Sequence, residues 1–95
     1  AGPTRSAPRR SDDLRRQFEA ASHAVSGLDD RPDNDTLLRL YALYKQGSEG
    51  DVRGEKPGFF DFVGTAKYEA WAKLKGMPDE TAMRDYIELV RSLRG

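Results

Sequence analysis

The run from Tyr41 to Gly58, Y-A-L-Y-K-Q-G-S-E-G-D-V-R-G-E-K-P-G, changes character half-way along. Its first residues continue an apolar spacing that starts at Leu37. Leu37, Leu40, Tyr41 and Tyr44 share one face of a 3.6-residue helix, while Leu38 and Lys45 lie seven apart on the neighbouring stripe. The later part carries Gly47, Gly50, Gly54, Pro57 and Gly58 with no usable periodicity, so the helix is expected to fray between Gly47 and Gly50. A loop over 47–60 is longer than the usual connection between packed helices. Loops of that length cross between helix ends that lie far apart, carry function, or do both. The expectation is therefore helix, long crossover, helix.

Working outward, Leu14, Phe18, Ala21, Val25 and Leu28 recur at helical spacing, so a first helix is expected to start near Asp12 or Asp13, capped by Ser11 or Asp12. Gly27 sits near its stop, and Asp29-Asp30-Arg31-Pro32 makes the turn. The second helix follows Pro32, with Asp33, Asn34 and Asp35 at its positive end. A third runs from Asp61 or Gly64 to Lys75, with Ala66, Ala70 and Leu74 as a small-residue face, Trp71 beside it and Gly76 as the stop. Pro78 is expected at the first position of the fourth helix. There Met83, Tyr86, Ile87, Val90 and Leu93 form the clearest amphipathic stripe in the chain. No strand signal or internal repeat appears. The fold class is all-α with four helices, and 95 residues make one small domain with one modest core.

Residues 1–11 hold two prolines and three arginines with little apolar content, and read as a disordered leader ahead of a domain over 12–95. With no cysteine there is no disulfide framework, thiolate nucleophile or common structural zinc site. That usage suits a reducing cytoplasm. His23 is alone on its helix and reads as a surface residue. Carboxylates sit beside cations at helical spacing, as in Glu69 and Lys73, which supports helices and singles out no catalytic pair. The glycines at 47, 50, 54 and 58 fit neither a dinucleotide nor a Walker pattern. No apolar run approaches the ~20 residues that span a bilayer. Lys plus Arg equals Asp plus Glu at 16 each, so any polyanion must be met by local placement of charge. Nothing points to an enzyme.

Tyr41, Tyr44 and Lys45 place two phenols and an ammonium on adjoining stripes of one helix. On spacing alone they read as the amphipathic edge of a core beside a solvated cation. Their company gives a second reading. Tyr41-x-x-Tyr44-Lys45-Gln46, then Gly50-Asp51, Lys56-Pro57-Gly58, Lys67-Tyr68-Glu69-Ala70-Trp71 and Ala82-Met83-Arg84-Asp85-Tyr86 follow in an order and spacing that closely resembles the acyl-CoA-binding protein family. The resemblance covers about Leu14 to Arg94.

The resemblance implies a four-helix bundle of up-down-down-up topology, with the long loop between helices 2 and 3. It implies that Tyr41, Lys45 and Lys67 gather the ribose 3′-phosphate of a fatty acyl-CoA, that Tyr44 packs on the adenine, and that Tyr86 adds a contact from the last helix. Leu37 and Leu38 fall where the family has an apolar acyl groove. Charge-assisted hydrogen bonds to phosphate contribute about 1.5–3 kcal/mol each, and a dozen buried methylenes at ~0.8 kcal/mol would supply about 10 kcal/mol before the costs of binding. The family often has lysine at the position of Ser26 and a basic residue at that of Val63; both are uncharged here, which bears on affinity. Arg31, Lys56 and Lys73 are the cations available to compensate. Tyr68 stands where the family commonly has tryptophan.

The implied function is non-enzymatic: a monomeric carrier that binds and buffers medium- to long-chain acyl-CoA esters and hands them to acyltransferases, dehydrogenases or thioesterases. It needs no cofactor, metal, nucleic acid or stable membrane insertion. Two alternatives stand beside it. One is a helical protein–protein interaction module that keeps the fold without tight ligand binding. The other is a nucleic-acid binder using Arg5, Arg9, Arg10, Arg15 and Arg16, with steep salt dependence.

Overall fold

A computed structural model describes residues 10–95; of the leader expected over 1–11, residues 1–9 lie outside the described residues, while Arg10 and Ser11 belong to the first helix. Four helices follow in order: α1 Arg10–Val25, α2 Asn34–Glu49, α3 Phe62–Ala72 and α4 Asp79–Arg94. They form an up-down-down-up bundle in which α2 packs on both α3 and α4, and α1 packs on α4.

The boundaries follow local chemistry. α1 begins at Arg10, two residues before the expected Asp12, and this puts Asp12 and Asp13 in its first turn, where carboxylates meet the positive helix end. Asp33 caps α2, its side chain accepting from Thr36 N–H at 2.8 Å. That bond holds the Asp33 carboxyl below its ordinary range. Asp61 caps α3 in the same way through Gly64 N–H, 2.9 Å away. Pro78 sits one position earlier than expected, at the cap of α4 and not inside it, and Asp79 and Glu80 occupy the first turn.

α2 ends within the expected 47–50: it passes through Gly47, continues to Glu49 and stops at Gly50, whose φ of 83° lies in the region that side chains disfavour. Gly47 is an interior helical residue because the core leaves no room for more: a Cβ there would lie 3.0 Å from Phe18 Cζ and 3.1 Å from Met83 Cγ.

The core gathers Phe18 and Ala21 from α1, Leu40 and Leu43 from α2, and Ala82, Met83, Tyr86, Ile87 and Val90 from α4. Phe18 is fully enclosed. Its ring stacks on Tyr44 (centroids 5.2 Å, 22°) and meets Tyr86 edge-on at 5.2 Å. Truncating such a side chain to alanine costs about 3–5 kcal/mol. Trp71 is the buried residue of α3, so that helix belongs to the bundle mainly through one indole.

The crossover spans residues 50–61. α2 and α3 run the same way, so the chain must return along the roughly 24 Å length of a 16-residue helix. Twelve residues reach up to about 40 Å, which suffices with slack. The slack is taken up by laying the loop along α3. Trp71 Nε1 donates to Gly50 O at 2.8 Å, Tyr68 Oη to Gly54 O at 3.1 Å and Thr65 Oγ1 to Gly58 O at 3.3 Å, while Lys56 pairs with Glu69. Loop and helix thus run antiparallel. At the far end, the enclosed Gln46 donates through Nε2 to Asp51 Oδ1 and Met77 O, both at 2.9 Å, and Asp51 also accepts from Gly76 N–H at 2.8 Å. Gly76 has φ 92°, the turn geometry that aims its N–H at Asp51.

Candidate ligand-binding cleft

An open cleft of about 640 Å³ lies between α2 and α3. Leu37, Leu38 and Tyr41 line it from α2, Val63 and Lys67 from α3, and Arg31 from the turn before α2. The helical spacing of Leu37, Leu38 and Tyr41 puts two aliphatic side chains and a phenol on this wall in succession. The Lys67 ammonium stands over the Tyr41 ring, 5.2 Å from its centroid, a cation–π arrangement that holds the cation at the lip. Apolar floor and cationic lip are thereby joined in one concavity, the arrangement an amphiphilic anion requires.

A larger groove of about 690 Å³ lies beside it, sharing Leu38 and Ala66 as a wall. It is the poorer site for an anion. Asp35, Glu69 and Asp85 line it together with Arg39 and Lys73, so its carboxylates oppose phosphate.

The remaining expected site residues are dispersed along the same helices. Lys45 lies one turn beyond Tyr41, its ammonium 4.9 Å from the Trp71 ring centroid and paired with Glu49 Oε2. That hydrogen bond is the main reason the Glu49 carboxyl is held below its ordinary range, with Arg53 contributing from the other side at 3.2 Å. One of the three Lys45 ammonium donors is thus taken up by Glu49. Tyr44 has one face on Phe18 and its centroid 5.8 Å from Tyr86, and it is only partly covered. Tyr86 is 4% exposed, and burial, with Tyr44 nearby, pushes its phenol above the usual value. The structure thus brings Tyr41 of α2 to Lys67 of α3 and Tyr44 of α2 to Tyr86 of α4 as two separate pairs, with Lys45 held by Glu49 beside the indole.

Of the three compensating cations, Arg31 lines the cleft, Lys56 is tied to Glu69, and Lys73 faces the larger groove. Ser26 lies in the turn after α1, its N–H donating to His23 O at 3.2 Å. Val63 does line the cleft and makes its outer wall apolar. Two contributors were not singled out by sequence reasoning. Phe62 gives no signal beyond its type, and Asn34 was read only as a helix-end residue. Among the described residues no cluster of His, Cys, Asp or Glu is placed to hold a metal, and no helix is long and apolar enough to cross a membrane.

Fold and cleft together define a small all-α domain with an open, largely apolar cleft and a cationic lip. The family model for acyl CoA binding protein matches residues 15–90. The chain is 49% identical over 77 residues to the acyl-CoA-binding protein homolog of Drosophila melanogaster, covering 81% of this chain and 90% of that one. It is 51% identical over 76 residues to enoyl-CoA delta isomerase 2 of Rattus norvegicus, covering 80% of this chain but only 19% of that protein. Among solved structures, the Oryza sativa acyl-CoA-binding protein 2 superposes with a TM-score of 0.84 at 37% identity, covering 87% of this chain and 90% of that one. This chain belongs to the acyl-CoA-binding protein family. Its domain is one of binding, not catalysis, and the family's ligand class is acyl-CoA.

Proposed function

We propose that the chain reversibly holds medium- to long-chain fatty acyl-CoA in the α2–α3 cleft, as a monomeric carrier in the cytoplasm that passes the thioester to acyl-CoA-using enzymes. The observation that carries this reading is the Lys67 ammonium over Tyr41 at the lip of a cleft floored by Leu37 and Leu38. Lys67 and Arg31 meet the phosphates, joined by Lys45. Tyr44 offers its uncovered edge to the adenine, and Tyr86 supports Tyr44 from α4. The acyl chain follows Leu37 and Leu38, gaining roughly 0.8 kcal/mol for each methylene it buries.

Head and chain each contribute only part of the affinity, so neither fragment alone binds well. Calorimetric titration with palmitoyl-CoA, free CoA and palmitate tests this. One-to-one binding of the thioester, with both fragments at least about a hundredfold weaker, is the expected result. No heat with any of the three from folded protein would transfer the function to a protein–protein interaction module.

A further inference from the structure

Lys45 and Trp71 repeat, one turn further on, the contact that Lys67 makes with Tyr41. Lys67 of α3 stands over the Tyr41 ring of α2, and Lys45 of α2 stands over the Trp71 ring of α3, with 5.2 and 4.9 Å from ammonium to ring centroid. The two helices run the same way, and twenty-six positions separate the partners of either pair. On each helix, cation and ring lie four residues apart, about 6 Å along the axis. The result is a ladder of two rungs across α2 and α3, in which each helix lends a cation to a ring of the other.

The two rings differ in what they can offer a ligand. Tyr41 lines the cleft and carries a phenol. Trp71 is 6% exposed, and its one polar group, Nε1–H, is spent on Gly50 O at 2.8 Å. It has no donor left for phosphate. What remains is a rigid π face, fixed by burial and by the bond to the residue that ends α2, beneath a cation on a flexible four-carbon stem. Glu49 holds the same ammonium from its own helix. A lysine loose in water loses rotamer freedom when phosphate immobilises it, whereas one already resting on a ring has lost much of it beforehand. We propose that Trp71 is a positioning residue for phosphate recognition: its ring holds the Lys45 ammonium in place for the ligand, and it acts on the ligand through Lys45 alone. The inference rests on the function proposed above, in which Lys45 meets the phosphates of acyl-CoA.

The test is a double-mutant cycle read by palmitoyl-CoA affinity, with Lys45→Met and Trp71→Leu as its single arms. Methionine keeps an apolar stem without the charge, and leucine fills part of the indole's place without a π face. Affinity is expected to fall by about tenfold or more in Lys45→Met and by about threefold or more in Trp71→Leu. The double variant is expected to lose no more than Lys45→Met alone. An indole that only holds α3 in place would cost the same factor in both backgrounds, and that result would overturn the proposal. Trp71→Phe, with a weaker π face, serves in the same cycle where the leucine variant does not fold. Emission from Trp71, the chain's one tryptophan, gives a readout without ligand. It is expected to change in Lys45→Met, and an unchanged spectrum would take the ammonium off the ring and end the proposal. Equal palmitoyl-CoA binding by wild type and Lys45→Met would overturn the positioning role and leave the ligand class standing. No binding by folded wild type would remove both.

Discussion

Gly47 and Phe18 touch so closely that a single added carbon on the glycine would lie 3.0 Å from the tip of the phenylalanine ring. The ring has nowhere to retreat, because it is fully enclosed and has Tyr44 stacked on it and Tyr86 meeting it edge-on. Gly47→Ala therefore sets two effects against each other. Alanine improves helix propensity by about 1 kcal/mol, while overpacking costs about 1–3 kcal/mol. Steric strain is expected to win, leaving a net loss of about 1 kcal/mol in urea denaturation. A gain in stability would show that Phe18 can move aside.

Lys67→Ala removes the cation at the cleft lip and, on the function proposed above, a charge-assisted hydrogen bond to phosphate. A loss of about tenfold or more in palmitoyl-CoA affinity is expected by calorimetry, against a change within about twofold for Arg94→Ala at the far end of α4. Equal losses would remove the assignment of Lys67.

Glu49 is paired with Lys45, so on the function proposed above it competes with the ligand's phosphate for that ammonium. Glu49→Gln removes that competition, and exposed pairs of this kind contribute about 0.2–1 kcal/mol. Affinity for palmitoyl-CoA is expected to rise by up to about fivefold at low salt, with the gain fading near ~0.5 M salt. A variant that binds more weakly would mean that Glu49 positions Lys45 and does not compete for it.

Asp51 links stability to pH. Its carboxylate accepts from Gly76 N–H and Gln46 Nε2, and these bonds hold it below its ordinary range. A group whose folded pKa lies below its unfolded one stabilises above the unfolded value, near ~3.9, and that contribution is lost as pH falls through the folded value. Wild type is expected to be more stable than Asp51→Asn at neutral pH, with the gap closing below about pH 4. Thermal melts across that range would show it, and a gap independent of pH would take the charge out of the explanation.

Trp71→Phe tests how α3 is held. The substitution deletes the indole bond to Gly50 O and leaves that carbonyl without the donor that meets it at 2.8 Å. A loss of about 1–3 kcal/mol is expected, followed by far-UV circular dichroism because the chain has no other tryptophan. A loss below about 0.5 kcal/mol would show that the loop bonds suffice without the indole.

Most of the bundle was legible because its signal is periodic. The stripe Met83, Tyr86, Ile87 and Val90 is buried as its spacing predicts, and Phe18 and Ala21 enter the core from α1 in the same manner. What local pattern does not announce is long-range. α2 ends within the expected 47–50, but the close fit at Gly47 depends on a ring that comes from twenty-nine positions earlier in the chain. The enclosure of Gln46 depends on Asp51 and on the carbonyl of Met77, and no local pattern announces either. Leu37, Leu38, Tyr41 and Lys67 line one cleft, whereas the pairing of Lys45 with Glu49 was not foreseen, although the two lie one helical turn apart.

The crossover laid along α3 has a thermodynamic corollary. One wall of the cleft is anchored in the aromatic core, while the other is anchored by an indole, a few hydrogen bonds and an ion pair at the surface. Segments held in that way open independently of the global unfolding event. A ligand that bridges the two walls closes this local equilibrium by mass action, so occupancy and helical order rise and fall together. Amide protons of residues 62–72 would then exchange with deuterium more slowly as ligand is added, while those of α4 barely respond. Grip on such a ligand and its release would be governed by the fraying of a single helix.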